Sequence, residues 1–240
     1  MLLKPSFVIN DMLNQVKQRV YLSNKSLKES DLVIQSFGNV SERFEDKLVI
    51  KPSGINLFSC TGEDMSVVDI ETGKNLSELN PSVDEPTHRI MYNAFPEINS
   101  VVHTHSLYAT SFAQAKISIK NFGTTHSDFT KHTIPCTKTI SEEFTKKNYE
   151  ENTGILIVDT LKKLNISPLE IPGILVANHG VFSWAEDIET AVRNAEAIEY
   201  IAHLSFYTLL IEPKINIIEP YISELHHNRK HGDNSYYGQN

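Results

Sequence analysis

The sequence predicts a single α/β domain, and three observations support this prediction. The chain has 240 residues, which suits one large domain with a sizeable core. Apolar residues recur every three or four positions in some segments, as in helices, and form short β-branched runs in others, as in strands. No internal repeat, low-complexity segment or linker divides the chain, so we expect one domain spanning residues 1–240.

The N-terminal part of the chain begins with a predicted helix and continues with strands. Apolar residues at every fourth position predict an amphipathic helix over 6–22. Residues 32–37 and 47–51 are rich in β-branched side chains and predict two short strands on either side of the polar segment 41–46. A further strand is predicted over 65–70, followed by a hairpin turn.

The rest of the chain alternates between the two patterns. Pro86 marks a helix start, with Ser82 and Asp84 as candidate caps, and Pro96 ends that helix. The remaining predicted elements are a strand over 101–105, a helix over 106–116, a helical region over 142–164 broken or capped at Gly154, a strand over 173–177 and a long helix over 186–210.

Composition and charge exclude several classes of protein. The formal net charge is -8, whereas proteins that bind nucleic acid need a basic surface for the phosphates. No apolar run approaches the ~20 residues that span a bilayer, and the N-terminus lacks the apolar stretch of a signal peptide. Two cysteines, far apart in sequence, give no disulfide framework. We therefore expect a cytoplasmic protein that binds neither nucleic acid nor membrane.

Histidines at two predicted strand ends suggest a metal site. His103 and His105 are two residues apart in the predicted strand 101–105, so alternation places both imidazoles on one face. His179 follows the predicted strand 173–177, and Gly180 beside it allows a sharp turn. Three imidazoles and one open position are typical of catalytic Zn²⁺, although imidazole also suits other transition ions. The alternative is that these histidines have structural or exposed positions.

Three glycine- or serine-containing segments are candidates for holding an anion. Phe37–Ser41, Lys51–Gly54 and the segment 81–84 combine backbone N–H groups with hydroxyl and amide donors at element ends. Each is also a common turn sequence when taken alone. Lys51 could equally be a solvated lysine at the end of a strand.

Two further polar segments carry candidate catalytic groups. The run 123–128 ends in Asp128, a carboxylate suited to acid–base chemistry. The chain ends in a basic run at 229–232 and two adjacent tyrosines, Tyr236 and Tyr237, which is unusual for a tail. The tyrosines indicate that the tail docks on its own subunit or on a neighbour.

Taken together and in order, these segments resemble the class II aldolase/adducin family, and within it the branch of pentose-phosphate 4-epimerases. The resemblance runs from about residue 30 to the C-terminus. The motifs that carry it are Gly-Asn-Val-Ser at 38–41, Lys-Pro-Ser-Gly at 51–54, Asp-Glu-Pro-Thr-His at 84–88, Val-His-Thr-His-Ser at 102–106, Gly-Thr-Thr-His-Ser-Asp at 123–128, Ile-Pro-Cys-Thr at 134–137, His-Gly at 179–180, Arg-Lys-His-Gly at 229–232 and Tyr-Tyr-Gly-Gln at 236–239.

The resemblance implies a fold, an assembly and an activity. The fold would be a central, largely antiparallel sheet flanked by helices, in a homotetramer with active sites between subunits. The activity would be a metal-dependent interconversion of L-ribulose 5-phosphate and D-xylulose 5-phosphate, as used in arabinose catabolism, without NAD. Cleavage of the C3–C4 bond would give an enediolate and glycolaldehyde, which re-adds through its opposite face. The metal would be Zn²⁺, with Mn²⁺ or Co²⁺ as alternatives.

The resemblance also implies roles for individual residues. The metal would be held by His103, His105 and His179, with Asp84 beside it, and the acid–base pair would be Asp128 and Tyr237. Substrate and phosphate contacts would come from Gly38, Asn39, Lys51, Ser53, Gly54, Ser82, Val83, Thr124, Glu150 and His226. Position 83 departs from the family, which usually has serine there, so one hydroxyl contact to phosphate would be missing.

Three other functions compete with this interpretation. An aldolase of the fuculose-phosphate type would share the metal and phosphate sites but release the aldehyde, and the residues at Asp128 and Tyr237 argue against it. A non-catalytic, adducin-like interaction module should have lost metal ligands, whereas all three histidines are present. A metal-dependent hydrolase has only the histidines in its favour.

Overall fold

The computed structural model describes residues 5–232 and 235–236. Its described helices are α1 Pro5–Glu29, α2 Glu85–Ala94, α3 Leu107–Ala115, α4 Thr124–Phe129, α5 Glu142–Thr145, α6 Tyr149–Leu164, α7 Ile188–Ile211 and α8 Pro220–His231. Its described strands are β1 Gly38–Phe44, β2 Lys47–Ile50, β3 Ser66–Asp69, β4 Ser100–Thr104, β5 Gly173–Val176 and β6 Gly180–Ala185. None of the described helices is both long and apolar enough to cross a bilayer.

The six strands form one sheet in the order β3-β2-β1-β4-β6-β5, and every neighbouring pair is antiparallel. This confirms the predicted fold class. Gly38 at the start of β1 pairs with Thr104 at the end of β4, and Thr104 pairs with Val181 near the start of β6. Three interior strands therefore bring their ends together at one end of the sheet, and the predicted metal ligands lie there.

Helices cover both faces of the sheet because successive side chains along each strand point to opposite faces. Val102 of β4 packs in a cluster with α1 and α7, whereas its neighbour Val101 packs against α2 and α6. Helix α3 also lies on the α7 face. Trp184 of β6 is fully buried on the α2 face, and its indole N–H donates to the Pro168 carbonyl at 2.8 Å. The two faces together make a three-layer core.

The predicted strand over 32–37 is wrong, and the polar segment after it belongs to a strand. Residues 32–37 have no regular structure, and Gln35 has a left-handed backbone (φ 56) that interrupts an extended chain. Ser41 lies inside β1, where its hydroxyl is fully buried and hydrogen-bonds to His88 Nδ1 at 2.8 Å and to Tyr92 Oη at 2.7 Å. The buried partners of Ser41 explain why a polar residue occupies the strand.

The predicted helical region 142–164 is broken, but not at Gly154. The break falls between α5 and α6, where Asn148 has a left-handed backbone (φ 54). Gly154 lies inside α6 against α2, and a Cβ at this position would lie 3.1 Å from the Thr87 carbonyl oxygen. The glycine therefore permits two helices to approach closely.

Besides β1, the described elements α4, α8 and β6 were not expected from the sequence. Helix α4 is only six residues long and polar, so it has no apolar periodicity to reveal it. Helix α8 is rich in charged and histidine side chains, with Ser223 as its buried residue. Helix α1 also continues to Glu29, seven residues beyond the predicted end.

Candidate active site

Three histidines converge at the end of the sheet where the start of β1, the end of β4 and the start of β6 lie side by side. One ring nitrogen from each of His103, His105 and His179 lies within 4.8 Å of the others, and His103 Nε2 and His105 Nε2 are 3.0 Å apart. His103 lies in β4, His105 follows its last residue, and His179 lies in the turn between β5 and β6. The prediction that the imidazoles of His103 and His105 converge is confirmed, and His179 lies close enough to be their partner.

The turn that carries His179 differs in detail from the expectation. The left-handed residue is Asn178 (φ 64), and not Gly180. Gly180 is required for a different reason, because a Cβ there would lie 2.6 Å from the Thr104 carbonyl oxygen of the paired strand. Close strand pairing, rather than turn geometry, excludes a side chain beside His179.

The environment of His103 prepares it to bind a metal ion. Its ring is 1% exposed, stacks on Phe182 with a centroid distance of 4.2 Å, and has its Nδ1 3.0 Å from the Val181 carbonyl oxygen. Because that carbonyl can only accept, Nδ1 carries the proton and Nε2 keeps its lone pair. Burial lowers the pKa of His103 to about 3. A neutral imidazole of fixed orientation fits a divalent transition ion.

Asp84 lies beside the histidines at the start of α2. Asn39 Nδ2 donates to Asp84 Oδ2 at 2.6 Å and to Ser82 Oγ at 3.1 Å. Burial raises the pKa of Asp84. The nearby imidazoles, His103 first, and the hydrogen bond from Asn39 lower it by more, so the net shift of this pKa is downward. Asp84 therefore supplies a negative charge at the site, although the three-histidine cluster found among the described residues does not extend to it.

Two buried polar atoms next to this carboxylate have no hydrogen-bond partner among the described residues. They are Asn39 Oδ1 and His88 Nε2. His88 is fully buried, hydrogen-bonds through Nδ1 to Ser41, and has its pKa lowered to about 4 by burial. Asn39 Oδ1 can accept a hydrogen bond from a hydroxyl group of a bound ligand.

A cavity of about 250 Å³ opens beside Gly38 and contains Lys51. Lys51 is 4% exposed, and its Nζ donates to the Ser36 carbonyl at 3.0 Å, so the alternative of a solvated lysine is wrong. Burial lowers the pKa of Lys51. The turn that follows reaches Gly54, which has a left-handed backbone (φ 68).

The turn at 51–54 is tied to the segment that precedes α2. Ser53 N donates to the Asn80 carbonyl and Ser82 N donates to the Lys51 carbonyl, each at 2.9 Å. Ser82 is buried, whereas the side chain of Val83 is 63% exposed. The two segments predicted to hold an anion therefore lie side by side, and Val83 faces solvent.

Two of the predicted supporting residues are not in hydrogen-bond or ion-pair contact with the histidines within the described chain. Thr124 is the first residue of α4. Glu150 lies in the first turn of α6, where its backbone carbonyl accepts a hydrogen bond from Thr87 Oγ1 at 2.6 Å.

Asp128 lies in a separate polar cluster that joins α4 to α8. Arg229 donates to both carboxylate oxygens, from Nη2 at 2.6 Å and from Nε at 3.1 Å, and His226 Nδ1 is 3.2 Å from Oδ1. Lys230 Nζ lies 3.7 Å from Oδ2. Burial raises the pKa of Asp128, but the hydrogen bonds from Arg229 and His226 outweigh it and hold this pKa below its usual range. The carboxylate is therefore ionised at neutral pH.

Asp128 and the histidine cluster lie at opposite ends of the sheet. Two residues after Asp128, Thr130 Oγ1 donates to the carbonyl of Glu170, a residue shortly before β5 begins, at 2.7 Å. Asp128 also lines a cavity of about 650 Å³ together with Ala185, the last residue of β6. His179 directly precedes Gly180, the first residue of that strand, and Gly180 and Ala185 are five residue steps, or about 17 Å, apart. One copy of the chain therefore does not bring these predicted site residues together.

The last predicted catalytic residue, Tyr237, lies outside the described residues. Tyr236 before it is described, and its backbone N–H donates to the Arg229 carbonyl at 3.1 Å. The described chain therefore stays beside α8, and beside the Asp128 cluster, up to this point.

Sequence reasoning missed Tyr149, the first residue of α6. Its hydroxyl is 3.5 Å from His179 Nδ1, and the two rings are 6.0 Å apart. The phenol thus lies against the third histidine of the cluster. A single aromatic residue at a helix start has no periodic signal, so only the three-dimensional structure identifies it.

Comparisons with known proteins agree on one family. Residues 18–206 match the family model described as the class II aldolase and adducin N-terminal domain. The chain is 41% identical over 229 residues to L-ribulose-5-phosphate 4-epimerase UlaF of Salmonella paratyphi B (strain ATCC BAA-1250 / SPB7), covering 95% of this chain and 100% of that protein.

Solved structures show the same fold at lower identity. An L-fuculose 1-phosphate aldolase superposes with a TM-score of 0.75 at 23% identity, over 90% of this chain and 95% of that one. The L-fuculose 1-phosphate aldolase from Glaciozyma antarctica PI12 superposes with a TM-score of 0.72 at 16% identity, over 95% of this chain and 87% of that one.

Proposed function

The chain belongs to the class II aldolase and adducin family, and on that premise we propose that it is a metal-dependent L-ribulose-5-phosphate 4-epimerase. The observation that carries the proposal is the 41% identity to such an epimerase over the full length of that relative. The likeness to fuculose-phosphate aldolases, at 23% identity or below, concerns the fold alone. The three converging histidines argue against a non-catalytic module.

The metal, which we propose is Zn²⁺, would be held by His103, His105 and His179, with Asp84 beside it. The donor set supports this assignment because three neutral imidazole nitrogens with an adjacent carboxylate suit a divalent transition ion. When bound, such an ion supplies a Lewis acid where negative charge develops on the substrate oxygens. His103, held by Val181 and Phe182, would keep its lone pair directed at that ion.

The substrate phosphate would bind in the cavity at the start of β1. Lys51 supplies a buried positive charge there. The remaining contacts would come from Gly38, Asn39, Ser53, Gly54, Ser82 and the backbone of Val83. A side chain at position 83 that lacks a hydroxyl and faces solvent leaves only backbone donors there. Thr124, Glu150 and His226 would have supporting roles.

Asp128 and Tyr237 would move the protons. Removing the proton from the C4 hydroxyl lets that oxygen form an aldehyde while the C3–C4 bonding electrons pass to C3. After the aldehyde rotates, C3 attacks its other face and the new C4 oxygen takes a proton. One group is needed on each face. Asp128 would be the base because its carboxylate is ionised and can accept a proton, and the phenol of Tyr237 would act on the opposite face.

The two halves of the site would come from different copies of the chain. Asp128 shares a cavity with the last residue of β6, whereas His179 precedes its first residue, and these two ends of β6 are about 17 Å apart, which supports this arrangement. An exposed apolar surface at the end of α7 supports association, and Ile211 within it is 82% exposed. Its other members are Tyr200, Leu204, Phe206, Tyr207 and Leu210. We propose a homotetramer in which the tail of one copy, including Tyr237, completes the site of the next.

We also propose that the whole chain, residues 1–240, forms one domain of this family and works in the cytoplasm, with a place in arabinose catabolism. Its two cysteines, Cys60 and Cys136, are free thiols, which suits a reducing compartment.

The test is a product assay with the zinc-loaded protein. L-ribulose 5-phosphate should convert to D-xylulose 5-phosphate until the two reach equilibrium, without added NAD. Accumulation of glycolaldehyde and dihydroxyacetone phosphate without D-xylulose 5-phosphate would instead identify an aldolase. No reaction from protein with a full complement of metal would overturn the proposal.

A further inference from the structure

The cavity beside Gly38 contains a second lysine that the sequence did not single out. Lys28, in the last turn of α1, lines it together with Lys51, and we call this cavity the lysine pocket. Its wall also includes Ser36 and Gly54. Gly38 pairs with Thr104 at the end of β4, so the lysine pocket adjoins the histidine cluster.

The lysine pocket brings two positively charged side chains together, Lys28 and Lys51. Lys51 is buried, hydrogen-bonds to the Ser36 carbonyl, and forms no ion pair within the described part of the chain. Burial lowers the pKa of Lys51; attraction to Asp84 opposes this shift, whereas repulsion by Lys28 adds to it. A desolvated ammonium group is costly unless an anion accompanies it, and a second ammonium nearby increases that cost. The pocket is therefore built to receive an anion.

The size and charge of the pocket suit a phosphoryl group. A phosphate monoester carries a charge of about −1.5 to −2 at pH 7, so a single lysine leaves part of it unbalanced. Two lysines match a dianion. A Cβ at Gly54 would meet no atom within 4 Å, so a ligand oxygen can approach this backbone closely.

We propose that Lys28 is a specificity-determining residue that supplies the second positive charge to the substrate phosphoryl group. This inference rests on the proposed function for the identity of the substrate, but phosphate binding itself can be measured without turnover. Because Lys28 would contact the phosphoryl group and not the reacting carbons, it should affect substrate binding and leave the chemical step unchanged.

The test compares Lys28→Gln with Lys25→Gln in the zinc-loaded protein. Lys25 lies one turn earlier on α1, has its Nζ 5.7 Å from the centre of the Tyr21 ring, and does not line the lysine pocket. Both variants change the net charge equally. Calorimetric titration with inorganic phosphate at fixed ionic strength should show about tenfold weaker binding for Lys28→Gln, whereas Lys25→Gln should stay within about twofold of wild type.

The kinetic prediction is that Lys28→Gln raises KM for L-ribulose 5-phosphate about tenfold with kcat unchanged, and that Lys28→Arg restores most of the affinity. Equal phosphate affinity in wild type and Lys28→Gln would overturn the inference, as would no measurable phosphate binding by wild type. If phosphate binds wild type more tightly than Lys28→Gln but no epimerisation occurs, the proposed function is wrong. The inference that Lys28 binds a phosphoryl group is then still supported.

Discussion

Each histidine of the cluster offers one ligand nitrogen, so losing any one of them should release the metal. His103 is fixed by the Val181 carbonyl and by stacking on Phe182, and Tyr149 lies against His179. We expect His103→Asn, His105→Asn and His179→Asn each to lose most bound metal and activity while keeping the fold. Metal analysis of the purified variants, together with circular dichroism, checks this. Full metal content in the His179 variant would remove it from the ligand set.

Asp128 should behave differently because it lies far from the histidines in its own chain and would move protons. We expect Asp128→Asn to retain its metal and to lower kcat by about 10²–10⁴-fold, as is typical of a lost acid–base group. Steady-state kinetics combined with metal analysis separates this outcome from ligand loss. An unchanged kcat would mean that Asp128 only joins α4 to α8.

The three histidines could be predicted from sequence because strand alternation and strand ends are local patterns. The residues that surround these histidines, and the conformations that they adopt, could not be predicted. The left-handed residue in the His179 turn is Asn178, and the burial of Lys51 depends on segments distant in sequence. Tyr149 and Lys28 carry no local signal at all, since each acquires its neighbours only through folding.

At the scale of elements, the close contact of α2 with α6 makes a direct stability test. A Cβ at Gly154 would lie 3.0 Å from Ile90 Cβ and 3.1 Å from the Thr87 backbone. We expect Gly154→Ala to lower the free energy of unfolding by about 1–3 kcal/mol through overpacking. Gly123→Ala is the matched control, because a Cβ there meets no atom within 4 Å. Urea denaturation measures both, and equal stabilities would show that the helices can separate without cost.

The elements that sequence predicted correctly are those with a strong apolar period, such as α7. The errors occurred where tertiary contacts override local preference. Ser41 takes a strand position because His88 and Tyr92 satisfy its hydroxyl, and Gly154 continues a helix because α2 packs on it. The polar helices α4 and α8 form around the Asp128 cluster, a long-range ion-pair network.

At the scale of the whole molecule, buried neutral histidines should make the metal-free protein sensitive to acid. Burial lowers the pKa of both His88 and His126 to about 4, whereas the unfolded chain takes up protons near pH 6.5. Between these values the unfolded state binds more protons, so the free energy of unfolding falls as the pH is lowered. Each group contributes about 1.4 kcal/mol per pH unit below 6.5.

Urea denaturation of the metal-free protein at pH 7 and pH 5 measures this loss. His88→Gln should be less stable at pH 7 but should lose less stability on acidification, because one titrating group is gone. Equal stability of the wild type at both pH values would contradict the buried, neutral state of these histidines.

The central claim is that each active site combines the histidines of one copy with Asp128 of another, and subunit mixing tests it most directly. His103→Asn and Asp128→Asn, each inactive alone, are mixed under conditions that allow subunit exchange. In hybrids, about a quarter of the sites should receive both intact halves, so that fraction of wild-type activity should return. If Asp128 and Tyr237 of a site come from the same copy, every such copy in a mixture of Tyr237→Phe and Asp128→Asn lacks one of the two groups. That mixture should therefore recover no activity. No recovery with His103→Asn, despite demonstrated exchange, would contradict a site shared between copies.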